Sequence, residues 1–204
     1  MLVLSLIRRT KHEISLVKAI ITPIMLTISG VVGTMLLYFV ETGKWGGISF
    51  YGSVFFIPLC MIPYSLIIKE KIVKILDFSV PQICVMLAAM KVNCLTSGCC
   101  YGIELFTKND GTIVRFPSQL IEMIVAVGMM IIFIYLVDTD KYTGIHYALF
   151  FVLYGVIRFA LNFLRGDISS FISILPAGHF WSIIAMILGT VWIIVNNRNE
   201  KATK

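Results

Sequence analysis

Residues Ile20–Val40, with the sequence IITPIMLTISGVVGTMLLYFV, form a continuous apolar run that contains no Asp, Glu, Lys or Arg. An α-helix needs about 20 apolar residues to cross the hydrocarbon core of a membrane, so this run predicts a transmembrane helix. Five similar runs follow it: Ile48–Ile68, Ile75–Ser97, Pro117–Val137, Gly144–Leu164 and Gly178–Val195. The sequence therefore predicts an all-α membrane protein, a polytopic bundle of about six transmembrane helices forming one integral membrane domain over residues 1–204.

The overall composition supports this interpretation. Of the 204 residues, 58% are hydrophobic and only 14% are charged, whereas soluble domains have about 45–50% apolar and about 25% charged residues. This difference excludes a soluble enzyme, a disordered chain and a nucleic-acid-binding arm. Five cysteines, an odd number lying mostly in apolar runs, do not form the disulfide framework of a small secreted protein. No nucleotide fingerprint or zinc-finger spacing is present, so we expect no cofactor and no metal.

The basic residues predict the orientation of the bundle. Eleven of the 17 Lys and Arg residues lie in the N-terminal segment 1–19, the loops after the second and fourth runs, and the tail 196–204. Three lie on the opposite side: Lys44, Lys108 and Arg115. Cytoplasmic loops of membrane proteins are enriched in Lys and Arg, so we expect both termini to be cytoplasmic. The net charge of +6 then reflects membrane topology, with no nucleic acid partner implied.

The remaining three basic residues, Lys91, Arg158 and Arg165, lie inside apolar runs or at their ends. A charge at the bilayer centre costs at least about 2.5–3.5 kcal/mol, so such residues usually face a bundle interior, a partner or a wet cavity. Helical spacing aligns these cations with other polar residues along two faces. One face carries Tyr154, Arg158, Asn162 and Arg165, and the other carries Lys91, Cys94 and Gly98.

Both polar faces lie in the predicted outer half of the membrane, which favours a shared cationic cavity open to the outer leaflet. The alternative is that each cation extends separately to the outer headgroups. A guanidinium group can bind phosphate oxygens through two parallel hydrogen bonds. The sequence therefore predicts an anionic phospholipid as the ligand, without specifying a reaction.

Four segments carry a family resemblance. Ser49–Ser53 reads SFYGS, and Lys91–Gly102 reads KVNCLTSGCCYG. Arg115–Leu120 reads RFPSQL and is followed by Glu122, and Tyr154–Arg158 reads YGVIR and is followed by Asn162 and Arg165. A weaker match is Gly178–Ile183, GHFWSI. In this order and approximate spacing, the set resembles the motifs of the bacterial prolipoprotein diacylglyceryl transferase family.

The resemblance implies a multi-pass transferase of the bacterial inner membrane. Enzymes of the family move the diacylglyceryl group of phosphatidylglycerol to the thiol of a lipobox cysteine, and glycerol phosphate leaves. By resemblance, Arg158 would grip the phosphate and stabilise charge on the leaving group, and Tyr154 would hydrogen-bond the headgroup. Pro117 would occupy the first position of a helix whose first turn, with Ser118 and Gln119, attracts an anion.

Several motif positions differ from the family pattern. Tyr51 and Phe116 stand where the family has histidines, and Lys91 replaces an arginine. Cys94 and Cys99 replace Asn and Glu, and Asn162 replaces another Glu. The resemblance thus assigns catalytic positions to Arg158 and Tyr51. It assigns substrate-binding positions to a larger set: Lys91, Cys94, Ser118, Gln119, Tyr154, Asn162 and Arg165.

The cysteine pair in Gly98–Gly102 leaves three interpretations open. Cys99 or Cys100 could be a catalytic nucleophile, since a nearby cation favours the thiolate. The pair could instead be redox-active or form a disulfide with Cys94. The third possibility is that the thiols only pack at a helix end.

These interpretations give three functional hypotheses. The first is a diacylglyceryl transferase acting on an anionic phospholipid and a lipobox peptide or other thiol acceptor. The second is a related lipid- or acyl-modifying enzyme that uses Cys99 or Cys100 with a different acceptor. The third is a non-catalytic phospholipid-binding membrane protein. His179, near the predicted outer face, is a further candidate for the missing base.

Overall fold

The computed structural model describes residues 1–12, 14–139, 144–166, 170–172 and 175–202. Its helices are α1 Leu2–Arg8, α2 Leu16–Thr42, α3 Phe50–Ile68, α4 Ile72–Ser97, α5 Ser118–Thr139, α6 His146–Asn162 and α7 Ala177–Ala202. Two antiparallel hairpins complete the described elements: β1 Glu104–Thr107 with β2 Ile113–Arg115, and β3 Ser170–Ile172 with β4 Leu175–Pro176. The predicted loop charge Lys141 and tail charge Lys204 lie outside the described residues.

The predicted all-α polytopic fold is confirmed. Helices α2 to α7 correspond one to one with the six apolar runs. Among the described residues, five helices are long and apolar enough to cross a membrane, and α6, with 17 residues, is shorter. Two predicted boundaries move: α2 begins at Leu16, inside the predicted N-terminal segment, and α7 continues through the predicted tail to Ala202.

The bundle consists of three helical hairpins. The most extensive contacts join α2 with α3, α4 with α5, and α6 with α7. Helix α4 also contacts α2, α3 and α6, and its Val80, Ile83 and Cys84 are completely buried. Because α4 is surrounded by other helices, residues on it can reach partners on several elements at once.

Helices α2 and α3 cross in close contact at two glycines. A side chain at Gly33 would collide with the backbone of Gly52, and a side chain at Gly52 would collide with the backbone of Gly33. Small residues allow transmembrane helices to approach this closely. Gly52, part of the SFYGS segment, therefore sets the distance between the helices that carry Tyr51 and Glu41.

The end of the bundle that holds α1 and the C-terminal end of α7, called here the terminal end, is fixed by polar contacts. The carboxylate of Asp138 on α5 lies 2.6 Å from Arg8 and 2.7 Å from His12, which tie the short helix α1 to the bundle. Asp77 accepts hydrogen bonds from the backbone N–H groups of Gly144 and Tyr147 at the start of α6. These bonds satisfy donors that every helix start leaves unpaired.

The opposite end, called here the cavity end, is closed by backbone pairing between two connections. Gly102 pairs with Arg165 as an isolated β-bridge, and the N–H of Ile103 donates to the carbonyl of Leu164 at 3.0 Å. The segment after α4 is thereby fixed to the end of α6. This contact brings the GCCYG turn and Arg165 to the same end of the molecule.

Candidate functional site

A cavity of about 530 Å³ opens at the cavity end between α2, α3, α4, α6 and α7. Both polar faces that the sequence predicts contribute to it. Its polar lining includes Glu41, Ser49, Tyr51, Lys91, Cys94, Cys100, Tyr154, Arg158, Asn162 and Arg165. Its volume lies within the range of about 300–1,000 Å³ that is usual for ligand-binding pockets.

The cations of the cavity converge on one carboxylate, that of Glu122 on α5. Lys91 Nζ lies 2.7 Å from Glu122 Oε2, and the same oxygen accepts a hydrogen bond from Arg158. Arg165 Nη1 lies 3.8 Å from Oε1, the other carboxylate oxygen. Three helices, α4, α5 and α6, thus supply the cluster, and Arg165 joins it from the turn after α6.

Helix geometry explains why these residues meet. Lys91 and Cys94 lie three positions apart, and Arg158 and Tyr154 lie four positions apart, so each pair projects from one helical face. Glu122 lies one turn beyond Ser118 and Gln119, at the start of α5. The convergence therefore depends on the packing of α5 against α4 and of α6 against α4.

In this cluster, Lys91 and Arg158 share a single carboxylate oxygen, Glu122 Oε2. Three cations face one carboxylate, and Glu122 is only 5% exposed. Glu122 Oε1 has no hydrogen-bond partner among the described residues. Buried cations that share one carboxylate repel each other, and this repulsion is weakly screened in a low-dielectric site, so the cluster attracts an anion. An entering phosphate would therefore be attracted to Arg158, Lys91 and Arg165.

Tyr51 is buried beside this cluster, and its hydrogen bonding fixes the direction of its hydroxyl group. Tyr51 Oη lies 2.6 Å from Ser182 Oγ, and Ser182 donates its own proton to the carbonyl of Gly178. The Tyr51 hydroxyl must therefore donate to Ser182, which leaves the phenol oxygen free to accept a hydrogen bond from a ligand. The Tyr51 and Tyr154 rings pack with their centroids 5.3 Å apart.

Asn162 lines the cavity, and His179 lies behind it. The Asn162 amide nitrogen is 3.5 Å from His179 Nδ1, and the imidazole packs edge-on against Phe159 and Phe163. His179 is not among the described residues that line the cavity. The cavity lining described here contains no imidazole, so His179 could reach a substrate only through Asn162 or by moving.

Ser118 and Gln119 hold the cysteine turn. Ser118 Oγ donates to the Cys100 carbonyl at 2.8 Å, and Gln119 Nε2 donates to the Cys99 carbonyl at 2.7 Å. Neither side chain is part of the described cavity lining. The resemblance implies that Pro117 is the first residue of this helix, whereas α5 begins one residue later, at Ser118. A substrate-binding role for Ser118 and Gln119 stays a prediction, and their observed contacts are with the chain itself.

None of the five cysteines, all of which the structure describes, takes part in a disulfide. Cys94 and Cys100 line the cavity, whereas Cys99 is exposed at its edge. The sulfur atoms of these three residues lie within 4.8 Å of one another. Cys60 and Cys84 lie on α3 and α4, outside this group.

Two acidic residues of the site were not predicted as functional. Glu122 was noted only as part of the third motif, although three cations inside apolar runs already require a buried anion. Glu41 on α2 lines the cavity and accepts a hydrogen bond from Ser49 Oγ at 2.8 Å. It lies at the edge of the first apolar run, where a single charge gives no distinctive signal in the sequence.

A family model described as prolipoprotein diacylglyceryl transferase matches residues 1–195 of the chain. Phosphatidylglycerol–prolipoprotein diacylglyceryl transferase 2 of Clostridium perfringens (strain 13 / Type A) is 24% identical over 197 residues, which cover 85% of this chain and 77% of that protein. The corresponding transferase of Clostridium tetani (strain Massachusetts / E88) is 24% identical over 184 residues, covering 79% of this chain and 74% of that protein.

Proposed function

The chain belongs to the prolipoprotein diacylglyceryl transferase family, and on this premise we propose that it moves a diacylglyceryl group from phosphatidylglycerol to a lipoprotein cysteine thiol. Two relatives carry names that specify phosphatidylglycerol and prolipoprotein. The multi-pass fold fits an enzyme of the bacterial inner membrane that takes its lipid from the surrounding bilayer. The reaction would take place at the cavity end, the predicted outer side.

The observation that carries this proposal is the convergence of Lys91, Arg158 and Arg165 on Glu122 beside the cavity. A phospholipid phosphate would replace part of the pairing with Glu122 and remain in contact with the cations. Arg158 offers two parallel N–H donors to phosphate oxygens, and Lys91 adds a compact charge. Tyr51 would accept a hydrogen bond from the glycerol headgroup, and Tyr154 would donate one to it.

The chemistry proposed is a displacement at the diacylglyceryl carbon that bears the phosphate. The acceptor thiol releases its proton to solvent, its sulfur forms a bond to that carbon, and the bond between the carbon and the phosphate oxygen breaks. The electron pair leaves with glycerol phosphate, so negative charge on the leaving group increases in the transition state. Positioned cations that stabilise developing charge commonly provide the largest catalytic effect, and Arg158 is placed for this role.

Glu122 acts as a positioning residue in this scheme. It holds Lys91 and Arg158 close together in the absence of lipid, although two cations at such a distance would otherwise repel each other. A site whose charged groups are already arranged does not have to reorganise when the lipid enters.

The test is mass spectrometry of a lipobox peptide incubated with the purified protein and phosphatidylglycerol vesicles. The proposal expects a peptide mass gain equal to one diacylglyceryl group, together with release of glycerol phosphate. Arg158→Ala should slow the gain by about 10²–10³-fold. Lys108→Ala, which removes an exposed cation from the tip of the β1–β2 hairpin, is the matched control and should retain it.

Two other results would overturn this proposal. Lipid binding without any transfer by the unmodified protein would indicate the non-catalytic phospholipid-binding alternative. A diacylglyceryl adduct on Cys99 or Cys100 that is never passed to a lipobox peptide would indicate a lipid-modifying enzyme with a different acceptor.

A further inference from the structure

The cysteine cluster at the cavity end has no part in lipid binding as proposed above. Cys94 ends the polar face of α4, and Cys99 and Cys100 follow Gly98, whose φ of 65° ends the helix. Their three sulfur atoms lie within 4.8 Å of one another, and within the described residues the cluster includes no fourth His, Asp, Glu or Cys ligand. Three thiols this close could bind a thiophilic ion, form a disulfide or simply pack.

The turn is built to hold its thiols in place. The Cys99 N–H donates to the Cys94 carbonyl at 3.2 Å, and the bonds from Ser118 and Gln119 fix the carbonyls of Cys100 and Cys99. Cys100 has a φ of 61°, a left-handed conformation that a residue with a side chain rarely adopts. Such conformations persist where surrounding contacts enforce them, often at functional sites.

The spacing of the sulfur atoms suits a tetrahedral metal site. With Zn–S bonds of about 2.3 Å, tetrahedral geometry places ligand sulfurs about 3.8 Å apart. The cluster needs to contract by no more than about 1 Å to reach this distance. Zinc sites with three protein ligands leave the fourth position for water or substrate. Here that position would face the cavity, because Cys94 and Cys100 both line it.

From this geometry we propose that Cys94, Cys99 and Cys100 bind one Zn²⁺ ion whose open fourth position takes the acceptor thiol of the transfer reaction. This inference rests on the proposed function, because it supplies the thiol activation that the reaction needs. Tyr51 and Phe116 occupy the family's histidine positions, and the described cavity lining contains no imidazole. A thiol bound to zinc is deprotonated without a neighbouring histidine.

The activation step balances in atoms and charge. The acceptor R–SH displaces water from zinc and binds as R–S⁻, and its proton passes to the displaced water. The bound sulfur then forms the new bond to the diacylglyceryl carbon as glycerol phosphate leaves with the electron pair. The product thioether is neutral and binds zinc weakly, so water can replace it. Lys91, one turn from Cys94, offsets the negative charge of the thiolates.

The first test measures the metal independently of catalysis. The purified full-length protein in detergent is stripped with a chelator and titrated with Zn²⁺ and with Co²⁺. We expect one zinc ion per chain and, with cobalt, the near-ultraviolet thiolate charge-transfer absorption of a tetrahedral thiolate site. A cysteine-containing lipobox peptide should change the cobalt spectrum, and the same peptide with serine should not.

Substitutions within the chain provide matched controls. Cys99→Ser removes an exposed thiol, so the fold should remain intact. Zinc affinity should fall by more than the roughly 10–100-fold that is typical when a residue supporting a metal ligand is changed, because Cys99 is itself a proposed ligand. Cys94→Ser should do the same. Cys60→Ser removes a thiol from α3, away from the cluster, and should leave zinc affinity unchanged. Circular dichroism confirms that each variant remains folded.

The outcomes separate this inference from the proposed function. Diacylglyceryl transfer that continues unchanged after chelation supports the proposed function and overturns the role of zinc in activating the thiol. Stoichiometric zinc binding with no transfer overturns the proposed function and, with it, the role of zinc in activating the thiol. Absence of cobalt–thiolate absorption, or a disulfide between two of the three cysteines in the active protein, overturns the metal site itself.

Discussion

Lys91 Nζ lies 2.7 Å from Glu122 Oε2, and both side chains are at least 92% buried. This ion pair joins α4 to α5 and organises the cations of the cavity around one carboxylate. Removing one partner of a buried ion pair is strongly destabilising, because the other charge is left buried without compensation. The pair is therefore expected to affect both the stability of the bundle and the binding of lipid.

The substitution Glu122→Gln should lower the stability of the protein by about 3–5 kcal/mol, the usual effect of breaking a buried pair. The glutamine retains the shape of the side chain but leaves the charges of Lys91 and Arg158 unbalanced. Thermal unfolding in detergent measures the effect. Adding Lys91→Met to Glu122→Gln should recover part of the loss, and failure of the second change to help would contradict this electrostatic account.

Arg158 is expected to contribute mainly to the transition state. Arg158→Ala should lower kcat/KM by about 10²–10³-fold, the range found when a donor to a developing charge is removed. Arg158→Lys keeps the charge but loses the paired donors, so its activity should fall between those of the alanine variant and the unmodified protein. The measurement is the initial rate of peptide lipidation at several phosphatidylglycerol concentrations. A lysine variant with full activity would show that charge alone is sufficient.

The fold could be predicted from sequence because each helix carries its own signal. The six apolar runs match α2 to α7 within a few residues at most boundaries, and α5 begins one residue after Pro117, the predicted first helical residue. Helical spacing also placed Tyr154, Arg158 and Asn162 on one face. What the sequence could not provide is the pairing of groups across helices, since that depends on packing between elements far apart in the chain.

Glu122, Ser118 and Gln119 illustrate this limit. All three lie in one motif, yet Glu122 pairs with cations from α4 and α6, whereas Ser118 and Gln119 bind the cysteine turn. Their neighbours in sequence give no indication of these different partners. The sequence left open whether Cys99 or Cys100 pairs with Cys94, and the left-handed turn at Gly98 and Cys100 brings the three sulfur atoms together.

Tyr51 offers a test of the role of the family's histidine position. Its hydroxyl donates to Ser182, so we expect it to bind the headgroup rather than to take a proton from the acceptor. Tyr51→Phe should therefore raise KM for the lipid. Any decrease in kcat should be much smaller than the roughly 10²–10⁴-fold that general acid–base groups contribute. Rates measured over a range of lipid concentrations separate the two effects. A large fall in kcat at unchanged KM would instead assign the phenol a catalytic role.

The hydrogen bonds from α5 to the cysteine turn should control the reactivity of the thiols. Ser118→Ala combined with Gln119→Leu removes two bonds, each worth about 0.5–1.5 kcal/mol. The turn should open more often, and alkylation of Cys100 in the metal-free protein should accelerate by up to about tenfold per bond. Mass spectrometry of alkylated peptides gives the rate for each cysteine. Cys60, on α3, is the internal control, and an equal acceleration there would indicate general loosening of the bundle.

The contact between His12 and Asp138 predicts a pH dependence at the terminal end. Burial lowers the pKa of His12 below its usual value of 6.5, and the charges of Arg8 and Lys11 act in the same direction, while Asp138 opposes them. The folded protein therefore favours neutral His12, whereas the unfolded chain gains a proton as the pH falls through 6.5. The contribution of this group to stability is fully present above this pH and declines below it.

His12→Gln should flatten the decline in melting temperature between neutral and mildly acidic pH, because the glutamine does not titrate. A melting temperature that rises on acidification would show that the protonated imidazole is held by Asp138 more strongly than burial disfavours it.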